Sequence, residues 1–337
     1  MQYTNKPFKT IAMAVLCLAT LVGQVNVSFG QSDLADEDRA TAMFDIQFNK
    51  MRDGDFAEEM GDEFDDLFSS MPKDGMKPEQ VNRISGMMTI PNSLDEFQQM
   101  ESSPMAGMDY LFKMEFVDSE ATETMLAKMK EEGESVEIDG KTYITNSEIE
   151  GMLGQKVNDT TIEMGTQKYL SQTTRDLLSA NLKTAFSKTE DVGFRFVIDL
   201  ASESDLIAEA MAMATTQSGG DPMAAGMIQL MDNMADLRLT FDLDAPKMLS
   251  LAMTGKDEEQ AIELQGGLDG ILGMAKMFGG QATQDIPDPE LAKAAKGIVM
   301  GLKATRDGNN VAIDIARPAN LEDAIRGAID MAPGGGF

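Results

Sequence analysis

Alternation of apolar and polar residues, the pattern of a strand with one buried face, recurs along the chain from about residue 81 onwards. The alternation is clear at 112–116 and clearest at 194–200 and 237–243, where Arg238 falls on the polar face. Strands of this kind are typical of antiparallel sheets with one face buried and the other solvated. We therefore expect antiparallel strands whose polar residues lie outside.

Apolar residues at helical spacing separate these strands. Ala121, Met125 and Met129 stand four residues apart and predict a helix over 119–132. Asp-Gly turns between apolar runs predict hairpins at 136–144 and 303–315. Further helices are predicted at 177–186, 204–215, 222–234, 258–278, 289–302 and 321–331. The combination predicts an α+β fold in which helices cover one face of the antiparallel sheets.

The two halves of this pattern resemble each other. A strand, a helix that begins with acidic residues and an Asp-Gly hairpin follow in the same order in each half. This order predicts a duplicated strand-helix-hairpin unit, with a first α+β unit at 81–190 and a second at 191–332. Residues 333–337 are expected to be a flexible tail.

An acidic cluster at Lys256-Asp257-Glu258-Glu259 raises the question of a catalytic or metal site. Similar acids and hydroxyls stand at Asp118-Ser119-Glu120 and at 202–205, in each case between a strand and a helix. Such side chains accept hydrogen bonds from the free N–H groups of a helix start. Asp257 and Gln260 also have capping-box spacing. These junctions therefore predict helix starts.

Four glycines, at 266, 267, 270 and 273, interrupt one of the predicted helices. Glycine inside a helix costs about 1 kcal/mol relative to alanine. Close packing against the sheet or another helix would offset this cost. A mobile segment over a cavity is the alternative.

The segment at 31–80 is acidic, and we expect a partly ordered arm with short amphipathic helices near 42–44 and 64–68. Around Gly54 it resembles a degenerate calcium-binding loop. Met51 takes the third ligand position, and Met60 takes the twelfth position, which requires a glutamate. Calcium binding is therefore not expected.

Composition limits the available chemistry. The chain has no histidine and one cysteine, Cys17, in 337 residues. Without histidine, the Ser-His triad and the commonest transition-metal ligand are missing. The formal net charge of −29 opposes binding to nucleic acid. We predict no catalytic residues, no metal ligands and no cofactor.

The N-terminus has the features of a signal peptide. Lys6 and Lys9 precede an apolar run at 11–22, and the small residues Ser28 and Gly30 suit cleavage after Gly30. Residues 1–30 would then be removed, together with Cys17. We expect a secreted or periplasmic protein that keeps no integral membrane segment.

Methionine is unusually common, with 29 in the chain. Thioether sulfur can bind Cu(I), and methionine also fills irregular apolar space. Most of these methionines stand where a helix or strand requires an apolar residue. A cavity for an apolar ligand, lined by Met211, Met227, Met231 and Met274, is one hypothesis that follows.

Several stretches resemble a group of uncharacterised exported proteins of planctomycete-type bacteria. They read IDGKTY, NDTTIEMGT followed by KYL, DL before LIAEA, LRLTFDLD and ATRDGNNVAIDIARP. The resemblance runs from about Ile84 to Ala328. It implies export and a repeated α+β structure, and it supplies neither an activity nor site residues.

Three functional hypotheses follow. The first is an exported non-enzymatic protein that binds an unknown partner or belongs to the envelope structure. The second is a periplasmic carrier of an apolar small molecule in a methionine-rich cavity. The third is a carboxylate-dependent hydrolase of an extracellular polymer, which requires two acids facing each other in a cleft, at least one of them buried.

Overall fold

A computed structural model describes seven segments of the chain, at 39–61, 78–90, 108–145, 151–171, 177–202, 230–283 and 286–330. The predicted signal peptide, the helices at 64–68 and 204–215, most of the helix at 222–234 and the C-terminal tail lie outside these residues.

Twelve strands form the framework of the described segments. They are β1 (Ala42–Gln47), β2 (Val81–Met88), β3 (Tyr110–Phe116), β4 (Ser135–Ile138), β5 (Lys141–Thr145), β6 (Leu153–Asn158), β7 (Thr161–Gly165), β8 (Phe194–Asp199), β9 (Met234–Phe241), β10 (Lys247–Gly255), β11 (Ala304–Asp307) and β12 (Asn310–Ala316).

The helices are α1 (Phe48–Arg52), α2 (Asp55–Met60), α3 (Ser119–Glu132), α4 (Gln167–Leu170), α5 (Ala180–Ser187), α6 (Glu258–Ala282), α7 (Pro289–Gly301) and α8 (Leu321–Asp330). A 3-10 turn at Pro78–Gln80 leads into β2.

All twelve strands belong to one sheet, in the order β11-β12-β10-β9-β8-β1-β2-β3-β7-β6-β5-β4. Each neighbouring pair is antiparallel. The α+β class and the antiparallel pairing are therefore confirmed, with a single large sheet in place of several.

The central strand β1 differs from the sequence prediction. Residues 42–44 were expected in a short helix of an acidic arm, but 42–47 pair with β2 on one side and with β8 on the other. Phe44 and Ile46 alternate with the polar residues Asp45 and Gln47, which is a strand period. The many acidic residues around this short segment obscure its strand period in the sequence.

One face of the sheet is apolar. Met114 and Ile162 on this face pack with Leu126 of α3, and Met253 and Val311 pack with Leu264 of α6. We call this side the apolar face. It holds two of the buried clusters, one under α3 and one under α6.

The opposite side, which we call the polar face, carries charged residues in the middle of the sheet. At one end, Met87, Leu111 and Val197 pack with Leu182 of α5 and with Tyr169 of α4. Helices therefore pack on both faces, and the prediction of helices on one face is wrong. Apolar residues on the mainly polar side of β2, β3 and β8 provide the contact for α4 and α5.

Candidate functional site

Exposed apolar side chains concentrate on two helices. Of the seven large apolar residues that are exposed in the described segments, five lie on α6 and α7. We call them the α6–α7 apolar surface, and they are Ile262, Met274, Met277, Phe278 and Met300. Met277 is 60% exposed and Phe278 is 63% exposed. Such a concentration marks an interaction surface more often than scattered single residues do.

Helical spacing explains the position of this surface. Leu264, Leu268 and Leu272 stand four residues apart and are buried against the sheet. Met274, Met277 and Phe278 stand at i, i+3 and i+4 and form a separate group that stays exposed. α6 is thus apolar on its inner side and also on part of its outer side, although the outer side of a surface helix is normally polar.

Of the four α6 glycines at 266, 267, 270 and 273, three belong to the outer side. A Cβ built at Gly266, Gly270 or Gly273 would meet no atom of the described residues within 4 Å, whereas one at Gly267 would meet Leu230 Cδ2 at 2.5 Å. Among these four glycines and within the described segments, close packing therefore accounts for Gly267 and not for the other three. These glycines leave the helix backbone open to an approaching partner.

The predicted methionine lining is only partly described. Met274 belongs to the α6–α7 apolar surface and is 42% exposed. Met231 is partly buried and packs against the core under α6. Met211 and Met227 lie outside the described residues. The two described methionines differ in environment, one facing solvent and the other facing the core.

The acidic cluster before α6 is a helix start. Asp257 Oδ1 accepts a hydrogen bond of 2.8 Å from the Gln260 backbone N–H. At the start of α3, Asp118 Oδ1 accepts the equivalent bond from Ala121 N–H, also at 2.8 Å. Both carboxylates act as N-caps, so the interpretation of these acids as helix starts is confirmed.

A buried carboxylate lies at the seam between β1, β2 and β8. Asp45 is fully buried, and its Oδ1 accepts a 2.6 Å bond from Arg83 Nε. Arg195 also pairs with Asp45, and its guanidinium lies 4.4 Å from the ring centroid of Phe186. Two arginines thus neutralise one buried carboxylate, as burial of a charge requires.

A second buried carboxylate is bound by hydroxyl groups. Asp199 Oδ2 accepts hydrogen bonds from Ser179 Oγ at 2.6 Å and from Ser202 Oγ at 2.7 Å. Ser179 Oγ in turn accepts from Leu182 N–H and caps α5. This network ties β8 to the helix that packs on it. It is a structural arrangement that satisfies the carboxylate.

A third group of charges lies on β9. Arg238 is buried, its Nε lies 2.8 Å from Asp236 Oδ1, and its Nη2 donates to Thr254 and Asn310 at 3.0 Å each. Lys188 Nζ approaches Asp236 Oδ2 at 3.7 Å. The prediction that Arg238 lies outside is wrong because these polar partners allow its burial.

Two exposed or half-exposed acids have lowered pKa values. A hydrogen bond from Lys50, together with one from Gln47, lowers the pKa of Asp191 to about 2. Burial alone would raise the pKa of Asp314, but hydrogen bonds from Lys247 and Ser250 lower it overall. Both carboxylates therefore stay ionised at neutral pH.

The described segments contain neither a metal-binding cluster nor a membrane-spanning helix. They contain no group of three or more acidic, histidine or cysteine side chains arranged to hold a metal ion. None of the helices in that part of the chain combines the length and the hydropathy required to cross a bilayer.

No family model matches the chain, and no curated protein matches its sequence. Among solved structures, the chain is similar to TP0453 in crystal forms I and III, with 9% and 8% identity and TM-scores of 0.37 and 0.35. The matches cover 88% of this chain and 98% and 97% of the respective TP0453 chains. A likeness this low supports no argument about function.

Proposed function

We propose that this chain is an exported, non-enzymatic binding protein that holds an apolar partner on the α6–α7 apolar surface. The observation that carries the proposal is the exposure of Met277 and Phe278, at 60% and 63%, on a helix that already has a buried apolar side. Full burial of such a side chain is worth about 1.5–3 kcal/mol, and the exposed part of each residue forgoes its share of that free energy. A partner that covers them recovers this free energy.

The glycines of α6 favour a helical partner. Gly266, Gly270 and Gly273 follow one another at spacings of four and three residues, so they lie on one side of the helix. Without side chains at these positions, a second helix can approach the α6 backbone closely. Met277 lies four residues beyond Gly273 and extends the same side. The partner that fits best is therefore a protein helix with an apolar side.

The proposal also includes export of the protein. Export is supported by the features of residues 1–30. The carrier hypothesis differs in its geometry because it requires an enclosed cavity. The exposure of Met274 favours binding on the surface.

We further infer that the chain contains a duplicated unit. The strand orders β1-β2-β3-β7-β6 and β8-β9-β10-β12-β11 support it, because each has three sequential strands followed by a returning hairpin. The N-caps Asp118 and Asp257 also support it, since each follows the third strand. On this basis the first unit begins at β1, and its counterpart to the β11–β12 hairpin is β6–β7.

A photo-crosslinker at the α6–α7 apolar surface tests the binding function. Phe278 is replaced by benzoylphenylalanine in the producing cell, which is irradiated before the protein is isolated. We expect one discrete covalent adduct with another protein. The matched control places the same crosslinker at Val157, which is 48% exposed on β6 and distant in sequence from α6. Equal adducts at both positions, or none at 278, would contradict the proposal.

A further inference from the structure

A shallow pocket opens on the polar face of the sheet. Its volume is about 90 Å³. Arg238 and Thr240 of β9 and Ser250 and Ala252 of β10 line it, together with the segment 188–192 that joins α5 to β8. The pocket is separate from the α6–α7 apolar surface, because α6 packs on the opposite face.

The side chains around the pocket offer both hydrogen-bond donors and acceptors. Lys188, Arg238 and Lys247 supply donors, and the carboxylates of Glu190 and Asp242 supply acceptors. The hydroxyl groups of Thr189, Thr240 and Ser250 can do either. A ligand that matches this set must itself donate and accept at several positions.

The charges of the pocket are compensated within the protein. Lys188 and Arg238 share Asp236, and Lys247 Nζ lies 2.7 Å from Asp314 Oδ2. Glu190 and Asp242 add negative charge at the wall. Three positive groups thus face four carboxylates, so no excess of positive charge remains to hold an anion. The pocket therefore disfavours anions and suits a ligand that is recognised through hydroxyl groups.

Size limits the ligand further. A volume of 90 Å³ holds about six to nine water molecules, since each needs roughly 10–15 Å³ of such space. One sugar ring displaces a similar amount of water. Val192 and Ala252 provide small apolar surfaces that can contact the C–H groups of such a ring.

We propose that this pocket binds one neutral hexopyranose unit, with its hydroxyl groups bonded by Thr240, Lys247, Glu190 and Asp242. The pocket is open to solvent at the polar face, so the unit can be a free sugar or a residue within a glycan chain. A free sugar and a residue within a glycan chain would both be recognised through the same neutral ring.

Saturation-transfer NMR on the full mature chain tests the proposal. The probes are the methyl glycosides of glucose, galactose and mannose, together with N-acetylglucosamine and its linear trimer. We expect at least one probe to bind. Tighter binding of the trimer would support a glycan chain, and equal or weaker binding would support a free sugar. Inorganic phosphate serves as the anionic probe.

Two variants localise the binding. Ala252→Leu fills the pocket and is expected to weaken binding by about tenfold or more. Thr240→Val removes one hydroxyl without changing the size of the side chain and is expected to weaken it less. Thr305→Val, at an exposed position of β11 outside the pocket, is the matched control. Thermal melting of each variant checks that the fold is intact.

Three outcomes would overturn the proposal. One is the absence of a signal from every sugar probe, and another is binding of phosphate in preference to sugar. The third is sugar binding that folded Ala252→Leu and Thr240→Val proteins retain at full strength. Because the crosslinking experiment uses Phe278, on the other face of the sheet, failure here leaves the proposed protein-binding function untouched.

Discussion

The helices that follow β3 and β10 begin alike and differ along their outer sides. Each starts after an aspartate N-cap with a 2.8 Å bond to a backbone N–H. α3 is 14 residues long, and none of its large apolar side chains is exposed. α6 is 25 residues long and exposes four.

This difference distinguishes the residues that hold a helix on the sheet from the residues that are available to bind a partner. α3 buries Ala121, Thr122 and Leu126 and leaves charged residues in solvent, which is all that a covering helix needs. α6 covers the sheet equally well through Leu264, Leu268 and Leu272. Its outer apolar residues add nothing to that contact. A helix that carries more apolar residues than the fold uses is the expected sign of a binding surface.

The buried ion pair at the seam between β1, β2 and β8 provides the largest expected effect. Asp45→Asn leaves Arg195, whose side chain is 10% exposed, without its buried anionic partner. We expect a loss of about 3–5 kcal/mol in the free energy of unfolding, measured with urea. Asp191→Asn is the control, because that side chain is 70% exposed. A loss below about 1 kcal/mol for Asp45→Asn would mean that the seam does not depend on this ion pair.

The two N-caps test whether the helix starts are equivalent. Asp118→Ala and Asp257→Ala each remove one cap, and each should lower stability by about 1 kcal/mol. Neither should change partner binding. If Asp257→Ala abolished binding while leaving the unfolding midpoint unchanged, the acidic cluster would be a functional site.

Alanine substitutions at two glycines of α6 test directly whether a partner contacts the outer side of this helix. Gly270→Ala places a methyl group in open space and should stabilise the protein by about 1 kcal/mol. Gly267→Ala, which meets Leu230, should stabilise less or destabilise. Partner binding should weaken in Gly270→Ala. A variant that is more stable and binds as well as the wild type would argue against a close helical contact.

The smallest effect concerns pH. Asp191 has a pKa of about 2 in the folded protein against an ordinary value of 3.8. Its ionised form thus adds stability above about pH 4, and that contribution is lost as the pH falls towards 2. Because the side chain is largely exposed, the contribution should stay below about 1 kcal/mol. Stability–pH curves of the wild type and Asp191→Asn should converge between pH 4 and 2; parallel curves would contradict the assigned pKa.

Much of the secondary structure could be predicted from local patterns. The helix at 119–132 and the start of α6 at 258 match, because caps and helical spacing are local signals. Burial of Arg238 could not be predicted, since its partners Thr254 and Asn310 come from two other strands. The α6–α7 apolar surface was missed for a different reason. Its signal is present, because the α6 pattern is apolar on more than one side of the helix, but exposed methionines and methionines that line a cavity give the same pattern in the sequence.

Native mass spectrometry of the mature chain, isolated gently from the producing cell, tests the central claim most directly. The account predicts a complex with one partner protein that is lost in the double variant Met277→Gln, Phe278→Gln and kept in the control Val157→Gln. A bound species of lipid mass that survives in the double variant would contradict surface binding and favour an enclosed cavity.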